Sequence, residues 1–475
     1  MTSLLEETCS EVLKRVTPNR REKEHVLTLA KTLTEKVKEA AKEARVEAEV
    51  RVEGSVAKNT WLSEEPDIDI FMRVPTTMPR EAFGTVCLKI ARKATEGLEQ
   101  IERFAEHPYL EAIIDNVRKV RVNIVPCYRV KQGEWISATD RTPFHTDYVK
   151  PLLDEQKCGE VRLLKSLMKG VGVYGAEIKV GGFSGYLCEL LILNYGSFVE
   201  VLKSVADWKE KTIIDYESYY KGIEKEAEKI FEEPLVIVDP VDKGRNAAAA
   251  VRKERLDEFV AAARAFLKTS HMKFFYPQDV EALDAKRIVR IIKARGSTIV
   301  FVKFGKVGAV PDVLWGQLYK SQRSLRKMLQ QHDFHVLRDC VWSNEKNLNV
   351  FIFEVESRFL PLIRKHLGPP LRKKVECEKF LRKHLGAVHT VSGPRVEAGR
   401  WVVEIKRKHI DVLDLLLEKL GDGGRRVGVA ELVSKAVANS VEVLVNEDVL
   451  KLYSSSREFA KFLTEYLEGK PRWLM

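Results

Sequence analysis

The sequence contains no run of about 18 apolar residues, the length a helix needs to cross a bilayer. Its opening residues, MTSLLEETCSEV, hold no basic segment leading into an apolar one. Neither a membrane partner nor a secretory signal is expected, and the reading is a cytoplasmic protein. Cysteine is sparse and scattered: Cys9, Cys87, Cys127, Cys158, Cys188, Cys340 and Cys377 are odd in number and never spaced C-x-x-C. That pattern argues against a disulfide framework and against structural zinc, and fits buried thiols in a reducing compartment. No repeat of solenoid length and no low-complexity tract interrupts the chain.

What is present is length, apolar content and positive charge. The chain has 475 residues, 45% of them hydrophobic, room for two to four domains at roughly 100 to 200 residues each. Lys and Arg number 80 against 69 Asp and Glu, a formal charge of +11. Such an excess fits a polyanionic partner such as nucleic acid, subject to where the charge lies.

Hydrophobic periodicity divides the chain. Val26, Leu29, Leu33, Val37 and Ala41 recur at helical spacing through residues 21–45, giving a first helix with one buried face. From Val46 to Glu53 apolar and charged residues alternate, as a half-buried strand requires, and the strand runs into Gly54-Ser55. DIDIFMRV reads as a second strand, and segments near 109–115 and 119–128 as a hairpin turning at 116–118. The stretch 150–270 reads mostly helical, with Gly-rich breaks at 170–175 and 181–185, and includes RNAAAAVRKERLDEFVAAARAFLKT as helix. Beyond 271 strands and helices mix. The expected fold class is multidomain α/β and α+β: an α/β head over 1–149, a helical middle over 150–270 and an α+β remainder over 271–475.

The most informative local pattern is a strand, then Gly54-Ser55, then Asp67-Ile68-Asp69 twelve residues beyond the serine. A Gly-Ser turn lets backbone N–H groups and a hydroxyl come close to phosphate oxygens. Carboxylates at i and i+2 of a strand share a face and suit hard divalent cations, which bind through one or two carboxylates and substrate phosphates. Two such ions could activate a hydroxyl and stabilise a leaving pyrophosphate. An acidic pair alone fits a solvated pair on an exposed edge strand better. The Gly-Ser turn and the apolar strand around the pair favour the metal reading.

GSVAKNTW followed by DIDIF resembles the signature of the polymerase-β-like nucleotidyltransferases. HPYLEAII, NIVPCYRV, DRTPFHT, RLLKSLMKGVGVYGAE, GGFSGYLCELL, DPVDKGRNAAAAV and DVLWGQL narrow the resemblance to the archaeal (class I) CCA-adding enzymes, from about residue 20 onward. The resemblance implies a nucleotidyltransferase head, a helical neck that recognises nucleotide, and a C-terminal α+β body and tail for the tRNA acceptor arm. It implies template-independent addition and repair of the 3′-terminal CCA of tRNA from CTP and ATP, with release of pyrophosphate. Asp67, Asp69 and Asn123 would be the catalytic and metal-binding set, holding Mg²⁺ as two ions. Ser55 and Lys58 would hold the triphosphate, the family usually having arginine at the second place. His145, Lys165 and Tyr174 would complete the nucleotide site, and Arg245 would approach the base or sugar. A homodimer is compatible with the sequence.

One position departs from the family. Two residues ahead of VPCY the family has a third carboxylate, and this chain has Asn123. Asparagine offers a carbonyl oxygen but no charge, and it cannot act as a base. Three explanations stand: a natural site completed by another acid, with Glu111 across the hairpin as candidate; an inactivated Asp→Asn variant; or a tRNA-binding paralogue without turnover. A poly(A)-type polymerase of the same superfamily is a further alternative.

Positive charge concentrates toward the C-terminus. Residues 281–310 hold Lys286, Arg287, Arg290, Lys293, Arg295, Lys303 and Lys306 against Glu281 and Asp284. Lys320, Arg323, Arg326 and Lys327 follow Trp315, and Arg364, Lys365, Arg372, Lys373 and Lys374 lie in 361–375 with no acid. Phosphate contacts from such clusters give affinity with steep salt dependence and little sequence information.

Overall fold

A computed structural model describes residues 2–104, 107–115 and 120–475. The expected hairpin turn at 116–118 lies outside the described residues. The chain forms two compact units, Met1–Asp279 with Lys470–Met475, and Val280–Gly469.

In the first unit α1 (Thr2–Val16) precedes the helix expected at 21–45, which is α2 (Arg20–Glu43). Then come β1 (Glu49–Glu53), the single turn α3 (Gly54–Ala57), β2 (Asp67–Val74), α4 (Arg80–Ala94), β3 (Glu99–Phe104), β4 (Pro108–Asp115) and β5 (Val120–Tyr128). β1 starts later than the alternation from Val46 implies, because the Val46 N–H bonds to the Ala41 carbonyl and closes α2 instead of joining the sheet. The sheet order is β1-β2-β5-β4-β3, mixed because only β2 and β5 run parallel. Ile68, Ile70, Met72 and Val74 project to one face, where they are fully buried under α2 and α4. Alternation therefore sends Asp67 and Asp69 to the opposite face.

The rest of this unit comprises α5 (Thr142–Val149), α6 (Glu155–Val171), α7 (Gly185–Tyr195), α8 (Phe198–Ala206), β6 (Thr212–Ile214), α9 (Glu224–Ile230), β7 (Leu235–Asp239), β8 (Asp242–Asn246) and α10 (Lys253–Thr269). Leu164, Leu167, Leu191, Phe198, Phe259 and Phe266 form its core, joined by Val12 and Val16 of α1 and by Trp473. The helix expected from Arg245 through the alanines is not formed. Arg245 and Asn246 end β8, and Asn246 Oδ1 accepts from the N–H groups of Ile237 and Ala248, which turns the chain before α10 begins. Among the described residues no single helix is long and apolar enough to cross a membrane; apolar α7 and α8 are bent by 91° and largely buried in the core.

The second unit holds α11 (Ala285–Arg295), β9 (Thr298–Phe304), α12 (Pro311–Gln331), β10 (Val336–Ser343), β11 (Asn349–Val355), β12 (Ile363–Pro370), α13 (Lys374–His384), β13 (Thr390–Glu397), β14 (Arg400–Lys406), α14 (Val412–Leu420), α15 (Glu431–Ser440), β15 (Glu442–Val445), α16 (Leu450–Ser455) and α17 (Arg457–Glu468). Its main sheet, β10-β11-β9-β15, is antiparallel and covered on both faces. Ile299, Phe301, Val350 and Ile352 pack with α11 and α17, whereas Val300, Val302, Phe351 and Phe353 pack with α12, α14 and α15. A smaller sheet, β12-β14-β13, packs with α13.

Candidate active site

The face of the N-terminal sheet away from α2 and α4 carries a row of four polar side chains, Glu53 and Glu111 buried and Asp69 and Asn123 partly buried. Register pairs Glu53 with Asp69, Asp69 with Asn123, and Asn123 with Glu111. Directly paired residues point to the same face, so β1, β2, β5 and β4 present them side by side. Asn123 Nδ2 donates to Asp69 Oδ1 at 3.0 Å. Asp67, one step along β2, pairs with Arg121 at 3.0 Å, and Glu111 pairs with Arg103 at 2.9 Å. Surrounding protein raises the Asp69 pKa to about 6, and the amide of Asn123 only partly offsets this. Burial also raises that of Asp67, against the opposing pull of Arg121.

The Gly-Ser turn is built against these carboxylates. Gly54 has φ +68°, and a Cβ there would stand 2.2 Å from Asp69 Oδ2. Both the left-handed backbone and the close approach require glycine. Ser55 follows in α3, partly exposed, and its carbonyl accepts from the Thr60 N–H at 2.9 Å.

Lys58 and Lys165, both assigned to the triphosphate by resemblance, converge on a residue that sequence reasoning missed. Glu189 in α7 is 1% exposed and accepts from Lys58 Nζ and, at 2.7 Å, from Thr60 Oγ1. Lys165 Nζ lies 3.9 Å from Glu189 and donates to Thr60 O and Oγ1 at 3.0 and 3.1 Å. The lysines are 7% and 2% exposed. Burial raises the Glu189 pKa, but the two lysines outweigh it and hold the carboxyl below its usual range. Two cations share one anion, so the cluster keeps net positive charge, and both lysines act electrostatically on Asp69. Tyr174 joins this group: a Cβ on Gly185, at the start of α7, would stand 3.1 Å from the Tyr174 hydroxyl and 3.3 Å from Lys165 Nζ.

His145 and Arg245 meet at another residue missed from sequence, Asp239. Its Oδ2 bonds His145 Nε2 at 2.9 Å and accepts from Arg245 Nη1 at 2.5 Å. Its Oδ1 accepts from the Tyr186 hydroxyl and the Val241 N–H, each at 3.1 Å. Burial raises the Asp239 pKa, but the donors outweigh it and hold it at about 2. Burial lowers that of His145. Arg245, with Arg141, Ser184 and Asp242, lines a cleft of about 880 Å³. Asp239 lies in DPVDKGRN, where Asp-Pro signals a turn and nothing in the spacing marks a hub.

The structure thus brings together Asp67, Asp69 and Asn123; Ser55 beside Asp69; Lys58, Lys165 and Tyr174 about the start of α7; and His145 with Arg245. Lys58 Nζ stands 5.6 Å from the centre of the Tyr186 ring, which stacks on His145 at 4.1 Å, so the last two groups adjoin. Among the described residues no three His, Cys, Asp or Glu side chains converge as a closed metal cage. Two oxygen donors from Asp67 and Asp69 fit a hard cation whose shell is completed by phosphates and water.

Comparison with known families gives three successive matches: a nucleotidyltransferase domain over residues 33–145, the second domain of tRNA nucleotidyltransferase over 159–276, and the C-terminal domain of CCA-adding enzyme over 295–446. The CCA-adding enzyme of Methanosarcina barkeri is 37% identical over 454 residues, covering 95% of this chain and 96% of that protein. The chain belongs to the CCA-adding enzyme family. The CCA-adding enzyme of Methanothermobacter thermautotrophicus is 37% identical over 96% of this chain and 97% of its own length. That of Pyrobaculum aerophilum is 36% identical over 90% and 96%. A solved cytoplasmic RNA terminal U-transferase aligns with a TM-score of 0.43 at 16% identity, over 58% of this chain and 98% of that one. As a CCA-adding enzyme the chain is a nucleotidyltransferase whose substrates are tRNA and nucleoside triphosphates, in a superfamily that generally uses divalent metal ions.

Basic residues of the second unit form separate stripes. Lys286, Arg290 and Lys293 recur at i, i+4 and i+7 on α11, and Lys320, Arg323 and Lys327 at i, i+3 and i+7 on α12, all exposed. Because α11 and α12 cover opposite faces of the main sheet, the stripes belong to different layers. Members of the clusters are also ion-paired within the unit: Lys293 of the α11 stripe with Glu447 at 3.5 Å, Arg295 with Glu354 at 2.7 Å, Lys303 with Glu442 at 2.6 Å and Arg326 with Asp339 at 2.6 Å.

Proposed function

We propose that this chain adds and repairs the 3′-terminal CCA of tRNA from CTP and ATP, releasing pyrophosphate, in a reaction assisted by two Mg²⁺ ions. The observation that carries this reading is the Asp67–Asp69 pair set against the Gly54-Ser55 turn in a chain that matches CCA-adding enzymes along nearly its whole length. Asp67 and Asp69 would hold the metal, with the Asn123 carbonyl as a neutral third donor. Bound Mg²⁺ supplies charge neutralisation for the phosphates and lowers the pKa of the attacking hydroxyl.

The chain's own residues do the rest. Ser55 and the backbone after Gly54 hold phosphate oxygens, while Lys58, Lys165 and Tyr174 oppose the charge that builds on departing pyrophosphate. The tRNA 3′-oxygen bonds to the α-phosphorus as the α–β bridging bond breaks. The hydroxyl proton leaves to solvent or to Glu111, the acid in register with Asn123, since Asn123 cannot take it. Arg245 lies at the cleft wall on the nucleoside side of the site, with His145 joined to it through Asp239.

Pyrophosphate release measured with tRNA lacking its CCA end tests this reading. Release should require tRNA, Mg²⁺ and CTP, fall at least 100-fold in Asp69→Asn, and stop after three nucleotides ending in A. An open-ended product would instead identify a poly(A)-type polymerase. A second reading, a tRNA-binding paralogue without turnover, is favoured by one contact: the Asn123 amide already occupies Asp69 Oδ1. Tight, salt-sensitive tRNA binding with no pyrophosphate release would support it.

A further inference from the structure

Four consecutive carbonyls of the loop behind the Gly-Ser turn accept hydrogen bonds from one helix. Cys158, Arg162 and Lys165 stand at i, i+4 and i+7 on α6 and so share a face. The Lys58 carbonyl accepts from the Cys158 thiol, a weak donor, at 3.6 Å, and that of Asn59 from Arg162 Nη2 at 2.5 Å. The Thr60 carbonyl accepts from Lys165 Nζ at 3.0 Å, and that of Trp61 from Arg162 Nε at 3.0 Å. Arg162 Nη2 also donates to Asn59 Oδ1 at 2.9 Å. The front of the same segment, Gly54, is fixed against Asp69.

Arg162 is the member of this face that most needs a reason. It is 2% exposed, and among the described residues no carboxylate is paired with it. A buried charge without a counterion is costly, and here the compensation comes from the loop. The planar fork of a guanidinium spans the carbonyls of Asn59 and Trp61 together, which a flexible ammonium is not preorganised to do. Asn59 has φ +54°, a left-handed backbone that asparagine tolerates, so the fork grips the loop where its backbone is least relaxed. Lys58 immediately precedes it, and its Nζ is held by Glu189. A lysine fixed at both backbone and head group meets a phosphate in one position, and misplacement by about 1 Å in such a site weakens its action sharply. Burial keeps Arg162 itself away from a bound nucleotide.

We propose that Arg162 is a positioning residue for triphosphate binding: by holding the Asn59 and Trp61 carbonyls it fixes the loop that presents Lys58 and the Gly-Ser turn to the phosphates. The inference rests on the nucleotide-transfer reading of this site. Its consequence concerns the phosphates alone. Arg162 acts on the part that CTP and ATP share, so its loss weakens both equally, and weakens an inorganic triphosphate by the same factor.

The test uses the full chain without tRNA, so that binding is read apart from turnover. Dissociation constants for CTP, ATP and inorganic tripolyphosphate are measured with Mg²⁺ for the wild type, Arg162→Gln and Arg162→Lys, with circular dichroism to confirm folding. Arg162→Gln should weaken all three ligands by about tenfold, roughly the weight of one well-placed hydrogen bond. Arg162→Lys should weaken them about as much, because it keeps the charge and loses the fork. Unchanged affinities in folded Arg162→Gln overturn the proposal while leaving nucleotide transfer intact. So does a loss that spares tripolyphosphate, which would place the effect at the base, or full rescue by lysine, which would make it one of charge. Absence of any nucleotide binding by the wild type overturns both. Should Arg162→Gln fail to fold, Asn59→Gly decides, since glycine keeps the left-handed backbone and removes the Oδ1 acceptor. Tripolyphosphate binding weakened about threefold supports the hold on the loop, and unchanged binding overturns it.

Discussion

Asn123 donates a hydrogen bond to Asp69 from the adjacent parallel strand, 3.0 Å from Nδ2 to Oδ1, at the position where the resemblance implies a third carboxylate. The contact removes a like-charge repulsion and supplies a donor, both of which favour the ionised form of Asp69. Desolvation nevertheless wins, and its pKa stands at about 6.

This shift fixes the sign of a pH dependence. The folded-state pKa of Asp69 exceeds the unfolded value of about 3.9, so the metal-free folded protein binds the extra proton between those values. Stability from this group is full below about pH 4 and is lost as pH rises through about 6. In EDTA, Asp69→Asn should therefore melt higher than wild type at pH 7.5, with the difference closing at pH 4.5. Thermal melts at the two pH values measure it, and a gap that widened toward acid would contradict the assignment.

Glu189 is the one carboxylate shared by two buried lysines, so its removal leaves charge without a counterion. Glu189→Leu should cost about 3–5 kcal/mol, measured by urea denaturation. Glu189→Leu combined with Lys58→Met should recover a substantial part of that loss, because the pair leaves together. Equal stability of the single and double variants would mean that Lys58 already has another partner.

Gly54→Ala places a methyl group in a left-handed backbone, at about 1–2 kcal/mol, and against Asp69 Oδ2. The carboxylate must move, so Mn²⁺ affinity read by electron paramagnetic resonance should fall about ten- to hundred-fold, the range for disturbing the shell behind a metal ligand. The strain alone would lower melting temperature without weakening the metal.

The basic stripes on α11 and α12 occupy opposite layers, so one face of tRNA should meet only one of them. Replacing Lys286, Arg290 and Lys293 by Gln, or Lys320, Arg323 and Lys327 by Gln, should in one case lower the slope of log affinity against log salt by about 2–3, and in the other leave it unchanged. Filter binding across a salt series reads the slopes, and equal losses from both triples would place tRNA across both layers.

Elements with strong alternation or helical period were legible from sequence: β2, β9, β11 and α2 carry unbroken apolar patterns. The residues just before β1 were not, because Val46 ends a helix through its backbone rather than pairing in a sheet. Nor was β8, whose alanine-rich continuation has high helix propensity but is turned by the Asn246 side chain. Asp67 and Asp69 stood out because period two puts both on one face. Glu189 and Asp239 did not, since a single acid in an apolar helix or a turn has no periodic signature, and their importance lies in partners distant in sequence. The basic clusters were visible as charge, but neither their internal ion pairs nor their separation by a sheet can be read from a run of lysines and arginines.

Single-turnover addition of labelled CTP and ATP to tRNA lacking its CCA end, compared between the wild type and Asn123→Asp with Mg²⁺, bears most directly on the proposed activity. The wild type should add C, C and A and stop, and Asn123→Asp should do so at least tenfold faster, because a carboxylate at 123 restores charge beside Asp69. No incorporation by either protein would contradict the proposed transfer reaction and leave a chain that binds tRNA without extending it.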